Sequence, residues 1–146
     1  MAPLIVMTVV WILVRSAGML IPWPQADSWG GALSFALAAM FAFTAISHFH
    51  PRIRPDLIRM VPSSLPAAPL LVTATGILEL LGATGLLIPS VRTVAAYCLV
   101  ALLIALFPAN VHAARAGLHV AGRPAASLTW RLPLQLFWAA CLLWVA

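Results

Sequence analysis

The sequence predicts an all-α integral membrane protein built as a single helical bundle, and two observations predict it. Of 146 residues, 64% are hydrophobic and only 8% charged, and the mean hydropathy is +1.07. Soluble domains run about 45–50% apolar and roughly 25% charged. A water-soluble globule of this size has too much surface for its volume to hide so many apolar groups. Second, the apolar residues gather in five runs at 3–21, 31–49, 68–88, 91–113 and 128–145. Each is near the roughly 20 residues needed to cross about 30 Å of hydrocarbon. Composition therefore excludes a cytosolic enzyme, a disordered tail and a disulfide-stapled secreted scaffold.

The first run is read as an uncleaved span. It lacks a positive n-region, carries Arg15 late and shows no clear A-x-A site, unlike a signal peptide. Pro22 and Pro24 end it, and Pro51 ends the second. Pro69 suits the first turn of the third, where a missing N–H costs little. Pro89 and Ser90 make a tight turn into the fourth. So little chain lies between the runs that residues 1–146 read as one membrane domain. The stretch 51–67 mixes apolar residues with charges. It is read as an interfacial linker anchored by arginines at anionic lipid, with a short helical turn at headgroup level as the alternative.

Charge sets the orientation. Eight arginines, two aspartates and one glutamate give +5. The arginines sit in short stretches between apolar runs and not on a polar face, which argues against nucleic-acid binding. Arg52, Arg54, Arg59, Arg115 and Arg123 follow the second and fourth spans, with Arg131 just inside the fifth; the opposite side offers Arg92. The positive-inside rule then places the N-terminus and both arginine-rich loops in the cytoplasm and the C-terminus outside. A multi-pass protein of the bacterial plasma membrane is expected.

Intramembrane ionisable groups are costly and so are functional candidates. At about 1.5 Å per residue, Glu79 lies roughly 13 Å and Arg15 about 9 Å from the outer end of their spans. An Arg15–Glu79 pair would neutralise both, without necessarily adding net stability. Glu79 reads as that structural partner, as a proton-carrying carboxyl, or as a neutral acid bonded to Thr75 or another helix. A second set lies toward the cytoplasmic face: His48 and His50 end the second span, Asn110 and His112 the fourth, and Arg131 opens the fifth. Pro108 frees a carbonyl and kinks the fourth span beside Asn110. These groups are candidates to line one polar pocket. No metal site is expected, since His48 and His50, two apart, point to different faces of a helix. Haem ligation by His48 and His112 has no other ligand pattern behind it.

Cys98 and Cys141 lie at comparable depth in neighbouring spans and form no CxxC or zinc pattern. They read as apolar filler, with a redox thiol pair as the alternative. Gly76, Gly82 and Gly85, with Ala38, Ala42 and Ala45 in the second span, allow close helix approach. Trp23, Trp29 and Trp130 fall near span ends, where an aromatic belt forms.

From about Gly31 onward the chain resembles the DoxX-like family of small bacterial membrane proteins. The matching stretches are SHF at 47–49, RMVPSSLP at 59–66, GILELLGATGLLIP at 76–89, FPANVHAA at 107–114 and RLPLQL at 131–136. The resemblance implies four core transmembrane helices, the second to fifth spans, plus one extra N-terminal transmembrane helix. It implies a subunit associated with thiosulfate:quinone oxidoreductase or terminal quinol oxidase complexes, or a partner in thiol-oxidant defence. His48, Glu79, Asn110 and Arg131 fall in the matching motifs. The extra helix departs from the short family pattern, and a glutamate that functions without it would not need Arg15.

The expected function is a small membrane subunit of a thiol- or quinone-linked redox complex, not catalytic alone. A non-catalytic scaffold is the alternative, favoured by the absence of a P-loop, GxGxxG or Ser-His-Asp constellation. A small transporter or proton-conducting element using Glu79 is the third; five spans without a detectable repeat argue against an inverted-repeat transporter. Quinone is the one cofactor suggested. The partners expected are the lipid bilayer and other redox proteins, with no nucleic acid and with room for self-association.

Overall fold

The computed structural model describes residues 2–21 and 23–146. Helix α1 (Ala2–Leu20) is followed by the single turn α2 (Pro24–Asp27), α3 (Trp29–Phe49), α4 (Arg54–Met60), α5 (Ala68–Leu87) and α6 (Arg92–Arg115). A two-stranded hairpin, β1 (His119–Val120) and β2 (Arg123–Pro124), leads into α7 (Leu128–Val145). The fold is all-α, and α1, α3, α5, α6 and α7 are each long and apolar enough to cross a membrane. Their limits agree with the five sequence runs to within two residues. The expected stop at Pro22 lies outside the described residues; Pro24 opens α2.

Local chemistry sets the ends. Ser28 caps α3 by accepting from the Gly31 N–H at 3.0 Å. Pro69 takes the first turn of α5, as its missing N–H allows. Arg92 Nε donates to the Leu86 carbonyl at 3.0 Å, closing the end of α5. Gly117, at φ +61°, turns the chain out of α6, and Leu118 N–H returns to the Ala113 carbonyl at 3.0 Å, a Schellman ending. Ala121 and Gly122, at φ +52° and +75°, make the two-residue hairpin turn.

Helix α3 is the centre of the bundle and packs against α1, α5 and α7; α5 packs against α6, and α6 against α7. The core joins Leu37, Met40 and Phe41 of α3 to Leu86, Leu99 and Leu142. Large apolar side chains such as Leu13, Leu81, Val94, Ile104 and Leu136 face outward on every long helix but α3's buried side. Water would not tolerate apolar surface on that scale; the five helices are compatible with a multi-pass membrane protein.

Two features correct the sequence reading. The stretch 51–67 is not a plain linker: Arg54–Met60 is helical, with Pro55 in its first turn and Met60 buried. The glycines divide their work, too. A Cβ on Gly76 would meet His48 and Phe49 of α3, but one on Gly82 or Gly85 would meet Leu99 or Ala95 of α6.

Candidate functional site

Gly76 lets the C-terminal half of α3 approach α5 closely, because an added Cβ there would come within 2.7 Å of the His48 Cβ. One turn further along α5 lies Glu79, only 4% exposed. Its Oε2 accepts a hydrogen bond from Thr44 Oγ1 at 2.9 Å and lies 3.8 Å from His48 Nδ1. That imidazole nitrogen is also 3.2 Å from the Thr44 carbonyl.

Thr44 is the hinge of this arrangement. Its hydroxyl lies 2.9 Å from both Glu79 Oε2 and the Phe41 carbonyl, yet it has one proton to give. When Glu79 is ionised, Thr44 donates to the carboxylate. When Glu79 is protonated, the acid O–H can donate to Thr44, whose proton turns to Phe41. Either protonation state of the buried acid can therefore be hydrogen-bonded, as buried polar groups generally are.

Arg54 of α4 covers the end of this site. Its Nη1 donates to the His48 carbonyl at 2.8 Å, and its Nη2 reaches the Pro69 carbonyl at 3.0 Å and Thr73 Oγ1 at 2.8 Å. One guanidinium thus ties the end of α3 to the start of α5. Sequence reasoning counted Arg54 only as a loop charge and passed over Thr44 altogether.

The expected single polar pocket resolves into separate contacts. His48 belongs to Glu79. His112 Nδ1 meets the Met60 carbonyl at 3.1 Å and pins α4 onto α6. Asn110 Oδ1 accepts from Arg131 Nη1, linking α6 to α7. A residue missed in the sequence, Gln135, donates to the Leu103 carbonyl at 2.9 Å, next to the Ile104 carbonyl that Pro108, having no N–H, leaves without its helical partner. His50 is exposed and accepts the Arg52 N–H at 3.3 Å.

The Arg15–Glu79 pair does not form. Arg15 Nη1 stands 3.7 Å from Asp27 Oδ1, and its guanidinium lies 5.1 Å from the Trp29 ring centre. The reason is packing: α1 lies against α2 and α3, and Glu79 is engaged by Thr44 and His48 near the far end of α3. Cys98 and Cys141 are both free thiols, the first exposed and the second buried, so no disulfide joins them. Among the described residues no group of three His, Cys, Asp or Glu gathers to hold a metal ion.

Two clefts open on the outer faces. One of about 340 Å³ lies between α5 and α6 and includes Cys98; one of about 330 Å³ lies among α1, α3 and α5. Neither is lined by Glu79 or His48.

The profile of the family described as a domain of unknown function (DUF8561) matches residues 37–146, and the chain belongs to that family. The match takes in Thr44, His48 and Glu79 and begins inside α3, leaving α1 and α2 outside it. No curated protein and no solved structure matches the chain.

Proposed function

We propose that this DUF8561 protein is a small bacterial plasma-membrane subunit of a thiol- or quinone-linked redox complex, in which Glu79 takes up and returns a proton. The observation that carries the reading is the Thr44 hydroxyl, placed to bond Glu79 in either protonation state. Reducing a quinone to a quinol consumes two electrons and two protons. A partner enzyme that oxidises thiosulfate or thiols supplies the electrons, and Glu79, backed by His48, relays protons. The resemblance to DoxX-like proteins supports the substrate class. Arg131 and Asn110 brace α7 against α6 on the cytoplasmic side, where the partner docks.

The test is to purify the protein with whatever co-elutes, then measure bound quinone and thiosulfate-dependent quinone reduction. Glu79→Gln keeps an acceptor for Thr44 but cannot carry the proton. It should lower the rate about 100-fold or more if Glu79 is a general acid–base, with the complex still assembled. The scaffold reading is favoured by the clefts that do not reach Glu79. It stands if the purified complex is quinone-free and inert, or if Glu79→Gln turns over normally. A proton-conducting element would instead show Glu79-dependent flux in proteoliposomes without any partner.

A further inference from the structure

At the end of the bundle opposite α4, α1 and the start of α3 build a second polar site. Arg15 Nε and Nη1 and Trp11 Nε1 are buried and have no hydrogen-bond partner among the described residues. Trp11 and Arg15, four apart on α1, lie on one helix face, and both rest on Trp29: the Trp11 and Trp29 rings are 5.3 Å apart, and Arg15 is 5.1 Å from the Trp29 ring centre. Buried donors without acceptors are costly, a charged one most of all. Asp27 does not relieve this. At 3.7 Å its carboxylate is beyond hydrogen-bond range of Nη1, and its side chain is 70% exposed. Asp27 itself accepts no hydrogen bond from the described residues. A guanidinium short of acceptors thus sits beside an exposed carboxylate, at a membrane edge marked by Trp23 and Trp29.

We propose that this site holds the headgroup of a phospholipid bearing a primary ammonium group, as in phosphatidylethanolamine. The phosphate oxygens accept from the accessible edge of the Arg15 guanidinium, whose side chain is 18% exposed, and the ammonium, one ethyl link away, donates to Asp27. Both contacts are charge-assisted, the stronger class of hydrogen bond. The Arg15–Asp27 dipole also supplies selectivity. Phosphatidylglycerol has no cation for Asp27 and sets its net negative charge against that carboxylate. Phosphatidylcholine has a cation with no N–H to donate. Arg92, at the same end of the bundle, is already engaged with the Leu86 carbonyl and has no part in the site.

The protein in nanodiscs of equal parts phosphatidylethanolamine, phosphatidylglycerol and phosphatidylcholine is released into native mass spectrometry, and the retained lipid is identified. The expected result is phosphatidylethanolamine on the wild type and on Arg92→Gln, with little on Arg15→Gln. Asp27→Asn should reverse the preference toward phosphatidylglycerol, changing the ratio of the two lipids about tenfold, the scale of one charged hydrogen bond. A reversal of preference is not something misfolding produces, so Asp27→Asn decides the matter even if Arg15→Gln assembles poorly. Equal retention of the three lipids by the wild type, or an unchanged ratio in Asp27→Asn, overturns the proposal. So does loss of the preference in Arg92→Gln, which would make it a general effect of charge. Excess free phosphoethanolamine should leave the lipid in place; displacement would give the site to a soluble phosphoester and overturn the lipid assignment.

Discussion

Glu79 was legible as a lone carboxyl in an apolar run, but its partners were not. Threonines inside helices usually bond back to their own helix, as Thr8, Thr73, Thr75 and Thr84 do here. Among the described residues only Thr44 adds a carboxylate on a neighbouring helix to that local bond, and nothing in its sequence neighbourhood marks it. Arg15 shows the converse. Its depth could be computed, but depth does not choose between partners at similar level, and Asp27 is brought close by a short turn whose closure costs little. The contacts at Glu79 make a prediction that separates structure from chemistry. Glu79→Ala leaves Thr44 and His48 bonded only within α3, removes the hydrogen bond between α3 and α5 and opens a cavity there. It should destabilise the bundle by about 1–3 kcal/mol, measured by denaturant unfolding in micelles. Glu79→Gln should cost much less while losing activity. Equal stability losses in the two variants would assign Glu79 to structure alone.

Among the elements, the five long helices announce themselves through window-scale hydropathy, and α4 and the hairpin do not. A seven-residue helix is not stable alone. Here α4 is held by what it touches: Met60 is buried, His112 receives the end of the helix, and Asp56 Oδ2 accepts the Ala121 N–H of the hairpin turn at 2.9 Å. The Ala121 amide, followed by Arg59, holds the Asp56 carboxyl below the usual carboxylate range. A carboxylate depressed in the folded state contributes stability above its unfolded value and loses it as pH falls through its folded value. Protection of the Ala121 amide from hydrogen exchange, corrected for intrinsic rate, should therefore persist at neutral pH and fall only in solution more acid than the usual carboxylate range. In Asp56→Asn that acid-dependent step should vanish; if it remains, another group controls the hairpin. Helix α5 offers a steric test. Gly76→Ala places a Cβ within 2.9 Å of both the His48 Cβ and the Phe49 ring. Since α3 and α5 cannot both keep their positions, unfolding should become easier by about 1–3 kcal/mol. Gly30→Ala meets nothing within 4 Å and is the control.

At the scale of the whole molecule, the packing sharpens the orientation argument. Arg52, Arg54 and Arg59 lie in or beside α4, Arg115 ends α6, Arg123 is in β2 and Arg131 is in the first turn of α7. All six are at the end of the bundle where α4 contacts α5, α6 and β1. Arg92 lies at the other end, and Arg15 joins it there through its contact with Asp27 at the α2–α3 junction. Positive charge near span ends resists translocation, and the imbalance, not the net charge, sets the direction. The α4 end should therefore face the cytoplasm. With Cys98 and Cys141 replaced by alanine, single cysteines at S64C in the α4–α5 loop and S90C in the α5–α6 turn report the two sides. A membrane-impermeant maleimide on intact cells should label S90C alone, and S64C only after lysis. The opposite pattern would put the arginine-rich end outside. It would also move the proposed docking face of the redox partner across the membrane, because Asn110, His112 and Arg131 travel with that end.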